Sequence, residues 1–284
     1  MYARILNKVD PNYSALTATH HHFSRIAPKY HDLRTTDPEP ITFIAKELEK
    51  LVSIEAVDIG CGTGRYDLLL GRYLGDKLRL TCTDANSNML ETLDKYLIKH
   101  GISNFTLMHS EAENLPFPSN ALDCVCTFNA IHHFNLPVFL QESARILKSG
   151  GYLFIYTRLR EQNKRNIWGR YFPKFHQKET RLYTLDALTQ AVAAVPTLGI
   201  KSIEFFEYQR TSTLAKLIEL VEANHYSTFA LYSSGEMEKA TAGFVQRIAN
   251  KFNGSHWTHW FDENILFVIQ KEGLTYPPIK DTTL

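Results

Sequence analysis

Residues 56–65 read Ala56-Val57-Asp58-Ile59-Gly60-Cys61-Gly62-Thr63-Gly64-Arg65. Val57 and Ile59 alternate as a buried strand would. Three glycines follow at every second position, and Leu68-Leu69-Leu70 opens an apolar helical run. A glycine turn between strand and helix lets a ligand approach the backbone, because no Cβ intervenes. It also aims helix N-terminal N–H groups at that ligand. Asp58 would offer a carboxylate to a cationic or hydroxylated group. The G-x-G-x-G spacing lacks the third glycine of the dinucleotide fingerprint, which counts against a nicotinamide dehydrogenase. An ordinary tight turn is the structural alternative.

A second carboxylate, Asp84, follows Asp58 by 26 residues and ends the apolar run Leu78–Thr83. At the C-terminal end of a strand in a doubly wound sheet, an acid can accept both ribose hydroxyl protons. The alternative is a helix N-cap, since Met89 and Leu93 start a helix just after it. His132 and His133 follow a further predicted strand, Leu122–Phe128. Histidine titrates near neutrality and suits a general base. Adjacent side chains in extended structure point opposite ways, so one of the two, His133 for preference, is expected to face a ligand. The run His20-His21-His22 reads as solvated, because consecutive residues do not converge on one ion. Cys124-x-Cys126 lacks metal or redox spacing. Together with Cys61 and Cys82 these thiols read as small buried residues of a reducing compartment, and no metal is expected.

The elements that must position these groups alternate strand and helix. Pro40 opens a helix with Ile41, Ile44, Ala45, Leu48 and Leu51 on one face. Strands are expected at Leu78–Thr83, Phe105–Met108, Leu122–Phe128, about 151–156, Ile203–Tyr208 and Ile265–Ile269, besides the one before the glycine turn. At Lys148-Ser149-Gly150-Gly151 a helix ends, with glycine at the left-handed C′ position, and a strand begins. Thr184 caps a helix stopped by Pro196, and Ser233 with Glu236 forms a capping box ahead of another. Leu214, Leu217, Ile218 and Val221 mark one more helix.

Val57-Asp58-Ile59-Gly60-Cys61-Gly62-Thr63-Gly64 resembles motif I of the class I S-adenosylmethionine (SAM)-dependent methyltransferases. The likeness continues through Asp84-Ala85-Asn86-Ser87-Asn88-Met89-Leu90, Glu111-Ala112-Glu113-Asn114-Leu115-Pro116-Phe117, Asn129-Ala130-Ile131-His132-His133 and Leu147-Lys148-Ser149-Gly150-Gly151. Phe23 to Asp32 is similar to an N-terminal helix that closes over the cofactor in small-molecule members of the family. The resemblance implies a Rossmann-like, doubly wound α/β fold. Its seven-stranded sheet would be mostly parallel with an antiparallel last strand, helices on both faces and a helical cap. It implies SAM as cofactor, with S-adenosylhomocysteine as product. The implied cofactor residues are Tyr30, Asp58, Gly60, Cys61, Gly62, Gly64, Asp84, Ala85, Met89, Glu111, Ala112 and Asn129. Glu111, where Asp is usual, would accept the adenine amino proton. The branch most resembled is that of quinone-biosynthesis and related metabolite enzymes.

The chain of 284 residues divides into an N-terminal lid over 1–38, a methyltransferase domain over 39–273 with a cap near 209–252, and a tail over 274–284. Net charge is +1, so no global field draws it to nucleic acid or anionic membrane. No long apolar run predicts a membrane span. The N-terminus does not read as a signal peptide, which leads us to expect a cytoplasmic monomer or homodimer. Segment 158–181 stands apart, with eight basic residues against Glu161 and Glu179, interleaved with Trp168, Tyr171, Phe172 and Phe175. Aromatics beside arginines suggest a wall for an anionic acceptor, with Trp168 as a packing surface and Arg170 and Arg181 as anchors. The same segment would serve an RNA or protein methyltransferase. A non-catalytic SAM-binding protein would keep the turn and Asp84 alone.

Overall fold

A computed structural model describes residues 21–253 and 255–272. Its seven strands are β1 (Ile54–Ile59), β2 (Leu78–Asp84), β3 (Phe105–His109), β4 (Leu122–Phe128), β5 (Leu147–Thr157), β6 (Leu198–Thr213) and β7 (Trp257–Lys271). They lie in the order β3-β2-β1-β4-β5-β7-β6, and β7 alone runs antiparallel to its neighbours. This is the sheet the resemblance implies. Val57, Ile59, Val125, Leu153, Ile155 and Phe267 enter one core, while Ala56, Cys124, Cys126, Phe154, Tyr156 and Leu266 enter the other. A strand buried on both faces has no polar side, so β4 reads as a near-continuous apolar run.

Two parts of the sheet differ from expectation. The helix before β5 ends at Ile146, and Leu147 is already extended. Gly150, at φ +79°, therefore lies inside β5 and is not a helix C′ residue. It lies where the pairing with β4 shifts from Leu122↔Leu147 to Cys124↔Tyr152, and glycine relieves the strain of that bulge. The β6–β7 pair is also much longer than Ile203–Tyr208 and Ile265–Ile269 suggest. Only Ile265 to Gln270 of β7 face β5, and from Asn264 back to Trp257 the strand pairs with β6 alone. Outside the sheet's double cover such a ribbon has solvated faces. Glu204, Glu207, Gln209 and Arg210 hide it from a hydrophobicity count.

The ribbon leads into a third core. The cap expected at 209–252 begins after β6, with helices Leu214–Glu222 and Ser234–Lys251. Ser233 and Glu236 form the capping box ahead of the second, and Thr184 caps Leu185–Ala193. The cap has a second half in short helices at Arg160–Arg165, Ile167–Tyr171 and Phe175–Lys178. Ile167, Trp168, Phe172 and Phe175 from that half pack with Leu217, Val221, Phe229, Phe244 and Ile248 from the other. Trp168 stacks on Phe244 at 5.2 Å between ring centroids. Each large aromatic contributes about 1.5–3 kcal/mol by its burial. No helix among the described residues is long and apolar enough to cross a membrane. Residues 1–20, with His20, and the tail from 274 lie outside the described residues.

Beneath the glycine turn two acids share the interior. Asp58 of β1 and Asp67 of the following helix are both fully buried. Burial first, then the charge of Asp67, pushes the Asp58 carboxyl well above the usual carboxylate range. Burial pushes Asp67 up to about 7, while the Cys82 thiol donates to its Oδ1 at 3.1 Å. A carboxyl whose pKa is higher folded than unfolded stabilises the fold fully below its unfolded pKa near 4, and that contribution is lost as pH rises through the folded value. Asp67→Asn removes this titration. The wild-type melting temperature should therefore fall relative to that of Asp67→Asn between pH 5 and pH 8. Parallel melting curves across that range would refute the raised pKa of the Asp67 carboxyl.

Candidate functional site

The three glycines of the turn have three different jobs. A Cβ on Gly60 would lie 2.6 Å from Ala130 Cβ, and one on Gly64 would lie 2.7 Å from Leu93 Cγ. Both therefore let elements pack closely. Gly62, at φ +58°, has no atom within 4 Å of where its Cβ would stand, and it faces a cavity of about 860 Å³. Four amides of the turn are bonded within the fold. Gly60 and Cys61 N–H donate to Thr83 O at 2.8 and 3.0 Å, and Gly64 N–H donates to Cys61 O. Gly62 N–H donates to Asp84 Oδ2 at 2.9 Å. The turn is thus a cradle shaped against the end of β2.

Asp84 sits at that strand end, and its Oδ1 accepts the Asn86 N–H at 2.8 Å. The N-cap role weighed for Asp84 belongs to Asn86, whose side chain accepts from Asn88 and Met89 N–H. The Asp84 carboxylate instead lines the large cavity. Ten of the twelve expected cofactor residues line it: Tyr30, Gly60, Cys61, Gly62, Asp84, Ala85, Met89, Glu111, Ala112 and Asn129. Two do not. Gly64 faces Leu93, and Asp58 is sealed beneath the turn with Asp67, where no ligand reaches its carboxyl.

A second cavity of about 180 Å³ adjoins the first. Phe23, Tyr30, Arg65, Tyr66, Asn129 and His133 line both and form their common wall. His132 lines the smaller one only. Residues 131–133 form a 3₁₀ turn, not an extended strand. Successive side chains then diverge by about a third of a turn, so both rings reach the cavity, 4.1 Å apart. This replaces the expectation that one of them must point away. Burial, aided by Arg181 and Arg34, lowers His132 to about 3. Burial, then His132, holds His133 well below the usual histidine range. Both imidazoles are neutral at pH 7, and each keeps an unprotonated ring nitrogen that can accept a hydrogen bond.

The cap supplies the far wall. Trp168, Phe175, Leu217, Leu220 and Tyr226 line the smaller cavity, so Trp168 stands where expected. Arg170 and Arg181 do not line it. Arg170 is exposed on the outer side of its helix. Arg181 spends its fork on the buried carboxylate of Glu179, and also donates to Ser227 Oγ at 3.0 Å. The local charge excess of segment 158–181 is partly offset in space. Arg158 pairs with Asp262, Arg165 with Glu263 and Lys178 with Glu236, all remote in sequence.

Several residues escaped sequence reasoning. His31 Nε2 hydrogen-bonds Thr63 O at 2.9 Å and its ring stacks on Tyr96, which ties the helix Tyr30–Leu33 to the turn. Arg65 donates to Thr35 O at 2.7 Å and to Thr36 Oγ1 at 2.8 Å. Its place directly after the turn was the available signal. Arg34 follows Tyr30 by four residues, the spacing of neighbours on one helical face. His225 and Tyr226, between cap helices, carried no signal at all.

Residues 57–155 match the methyltransferase domain family. A demethylmenaquinone methyltransferase of Staphylococcus haemolyticus is 35% identical over 111 residues, covering 38% of this chain and 45% of that one. One of Listeria monocytogenes is 29% identical over 146 residues, covering 47% and 59%. The chain thus spans about half the length of these curated relatives. Among solved structures, the YcgJ protein of Bacillus subtilis superposes with a TM-score of 0.59 at 17% identity, over 83% of this chain and 99% of that one. The cyclase SpnF superposes with a TM-score of 0.53 at 18% identity, over 83% and 80%. Residues 57–155 are thus similar in sequence to methyltransferase domains, and the strand order with the structural likenesses shows the Rossmann-like fold that the resemblance implies.

Proposed function

We propose that the protein transfers a methyl group from SAM to a small molecule held under the cap. The observation that carries this reading is the common wall. A cavity lined by Gly62, Asp84, Glu111 and Ala112 meets a second, aromatic cavity at Tyr30, Asn129 and His133. A sulfonium cofactor supplies an electrophilic methyl group. The residues present fit such a cofactor. Gly62 leaves room for its chain, Asp84 suits its ribose hydroxyls, Glu111 suits the adenine amino group, and Met89 with Ala112 offers apolar contact.

The chain's own work would then be positioning. Residues 21–38 form the lid, held by His31, by Arg65 and by the Asn86 amide donating to Ser24 Oγ at 2.9 Å. Lid and cap together exclude water and hold the acceptor at attack distance. His133, at the junction, or His132 beside it would take a proton from a hydroxyl or acidic-carbon acceptor. The nucleic-acid reading has little support, because Trp168, Phe172 and Phe175 are core residues and unavailable for stacking on bases.

Titration calorimetry tests the cofactor. Wild-type protein should bind SAM and S-adenosylhomocysteine. Asp84→Asn should weaken both by about 2–3 kcal/mol, roughly 30- to 150-fold, through loss of charge-assisted hydrogen bonds. A protein that binds NAD and not SAM would overturn the assignment. The glycines give a sharper contrast. Gly62→Ala should lose SAM affinity and lose only the roughly 1–2 kcal/mol of stability that an alanine at φ +58° costs, since its methyl meets no other atom. Gly60→Ala, at φ +72°, should bear the same backbone cost and lose about 1–3 kcal/mol more through overpacking against Ala130. Equal melting temperatures for the two variants would show that the cradle is not as described. Filter binding to single-stranded RNA should be weak across a salt series. Tight binding that falls steeply with salt would restore the nucleic-acid reading.

A further inference from the structure

Among the described residues, the charges lining the smaller cavity do not balance. Three acids line it, Asp37, Glu179 and Asp262, and each has a cationic partner. Arg210 grips Asp37 with two hydrogen bonds of 2.8 and 2.7 Å, Arg210 and Arg158 share Asp262, and Arg181 holds Glu179. Two lining arginines remain, Arg65 and Arg34. Arg65 already donates to two oxygens of the lid. Arg34 has no carboxylate partner among the described residues, and its Nε is buried without an acceptor. The neighbouring imidazoles, being neutral, cancel none of this charge.

The guanidinium of Arg34 is nevertheless held in place. Its Cζ lies 4.2 Å from the ring centroid of Tyr226 in the cap and 5.3 Å from that of Tyr30 in the lid. A guanidinium stacked on rings keeps its N–H edge for an in-plane, two-point acceptor such as a carboxylate or phosphate. A cation with a desolvated N–H and no acceptor is costly, and an anionic ligand offsets that cost. The cavity also limits the rest of the ligand. A volume of about 180 Å³ compares with the roughly 150 Å³ in which an engineered protein cavity takes up benzene.

We propose that Arg34, and not Arg170 or Arg181, receives an acidic group of the methyl acceptor, and that the acceptor is a small, one-ring-sized organic acid bearing a carboxylate or phosphate. The identification of this ligand as the acceptor rests on the methyltransferase reading above; the anion site itself does not. Calorimetric titrations of benzoate, phenyl phosphate and neutral benzamide, each with and without S-adenosylhomocysteine, test it. At least one acid should bind tenfold or more tightly than benzamide, and which acid wins separates a carboxylate site from a phosphate site. Arg34→Gln should abolish the preference, and Arg34→Lys should retain part of it. An absence of any preference for the acids, or one that survives in Arg34→Gln, overturns the proposal. Acid preference without S-adenosylhomocysteine binding would instead overturn the methyltransferase reading and leave the anion site standing.

Discussion

The hydrogen bond from the Gly62 amide to the Asp84 carboxylate fixes the geometry on which the site depends. It ties the turn after β1 to the end of β2, with help from Gly60 and Cys61 donating to Thr83 O. The strand order explains its place. From β1 the sheet grows one way through β2 and β3 and the other way through β4 and β5. At such a switch point adjacent helices leave on opposite faces, and a crevice opens beyond the strand ends. A residue with a Cβ at position 60 would push the Ala130 loop away from the turn. The wall shared by Asn129 and His133 would move with it.

Above that edge the molecule solves a second problem, which is to build a roof from pieces far apart in sequence. The helices after β5 cannot form a core alone, being one to two turns long. The insertion between β6 and β7 cannot either, since its apolar stripe has one face to cover. Joined around Trp168, Phe172 and Phe229 they form a core of their own. The β6–β7 ribbon carries this unit beyond the sheet, and Asp262 and Asn264 on it reach the smaller cavity. Tyr30, Leu33 and Arg34 form the third side, with Arg34 stacked on Tyr226.

Much of this was legible in the residues. The glycine spacing, the apolar run Leu122–Phe128 and the Ser233–Glu236 box each follow from local physics, and each stands within a residue or two of its expected place. Asp84 was legible because a carboxylate at a strand end has few other uses. Asp58 was not, since proximity along the chain says nothing about which face of the turn a side chain takes. Its orientation is set by alternation along β1, which sends it under the turn to Asp67. The histidine pair failed for a related reason. A period of two was assumed where the chain had already left the strand for a 3₁₀ turn.

Arg170 and Arg181 expose a deeper limit. Counting charges along segment 158–181 treats neighbours in sequence as neighbours in space. The acids that pair with its cations come from β7 and from the cap, at Asp262, Glu263 and Glu236, and from Glu179 within the segment itself. Electrostatic surplus is a property of a cavity and not of a stretch of chain. Summed over the described residues of the smaller cavity, it falls on Arg34 and Arg65, two residues that lie outside the basic segment. The sheet and cradle do not choose the acceptor, because one fold hosts many chemistries. The choice must lie with the side chains brought to the common wall, and among them Arg34 is a cation with neither a carboxylate partner nor an acceptor for its Nε among the described residues.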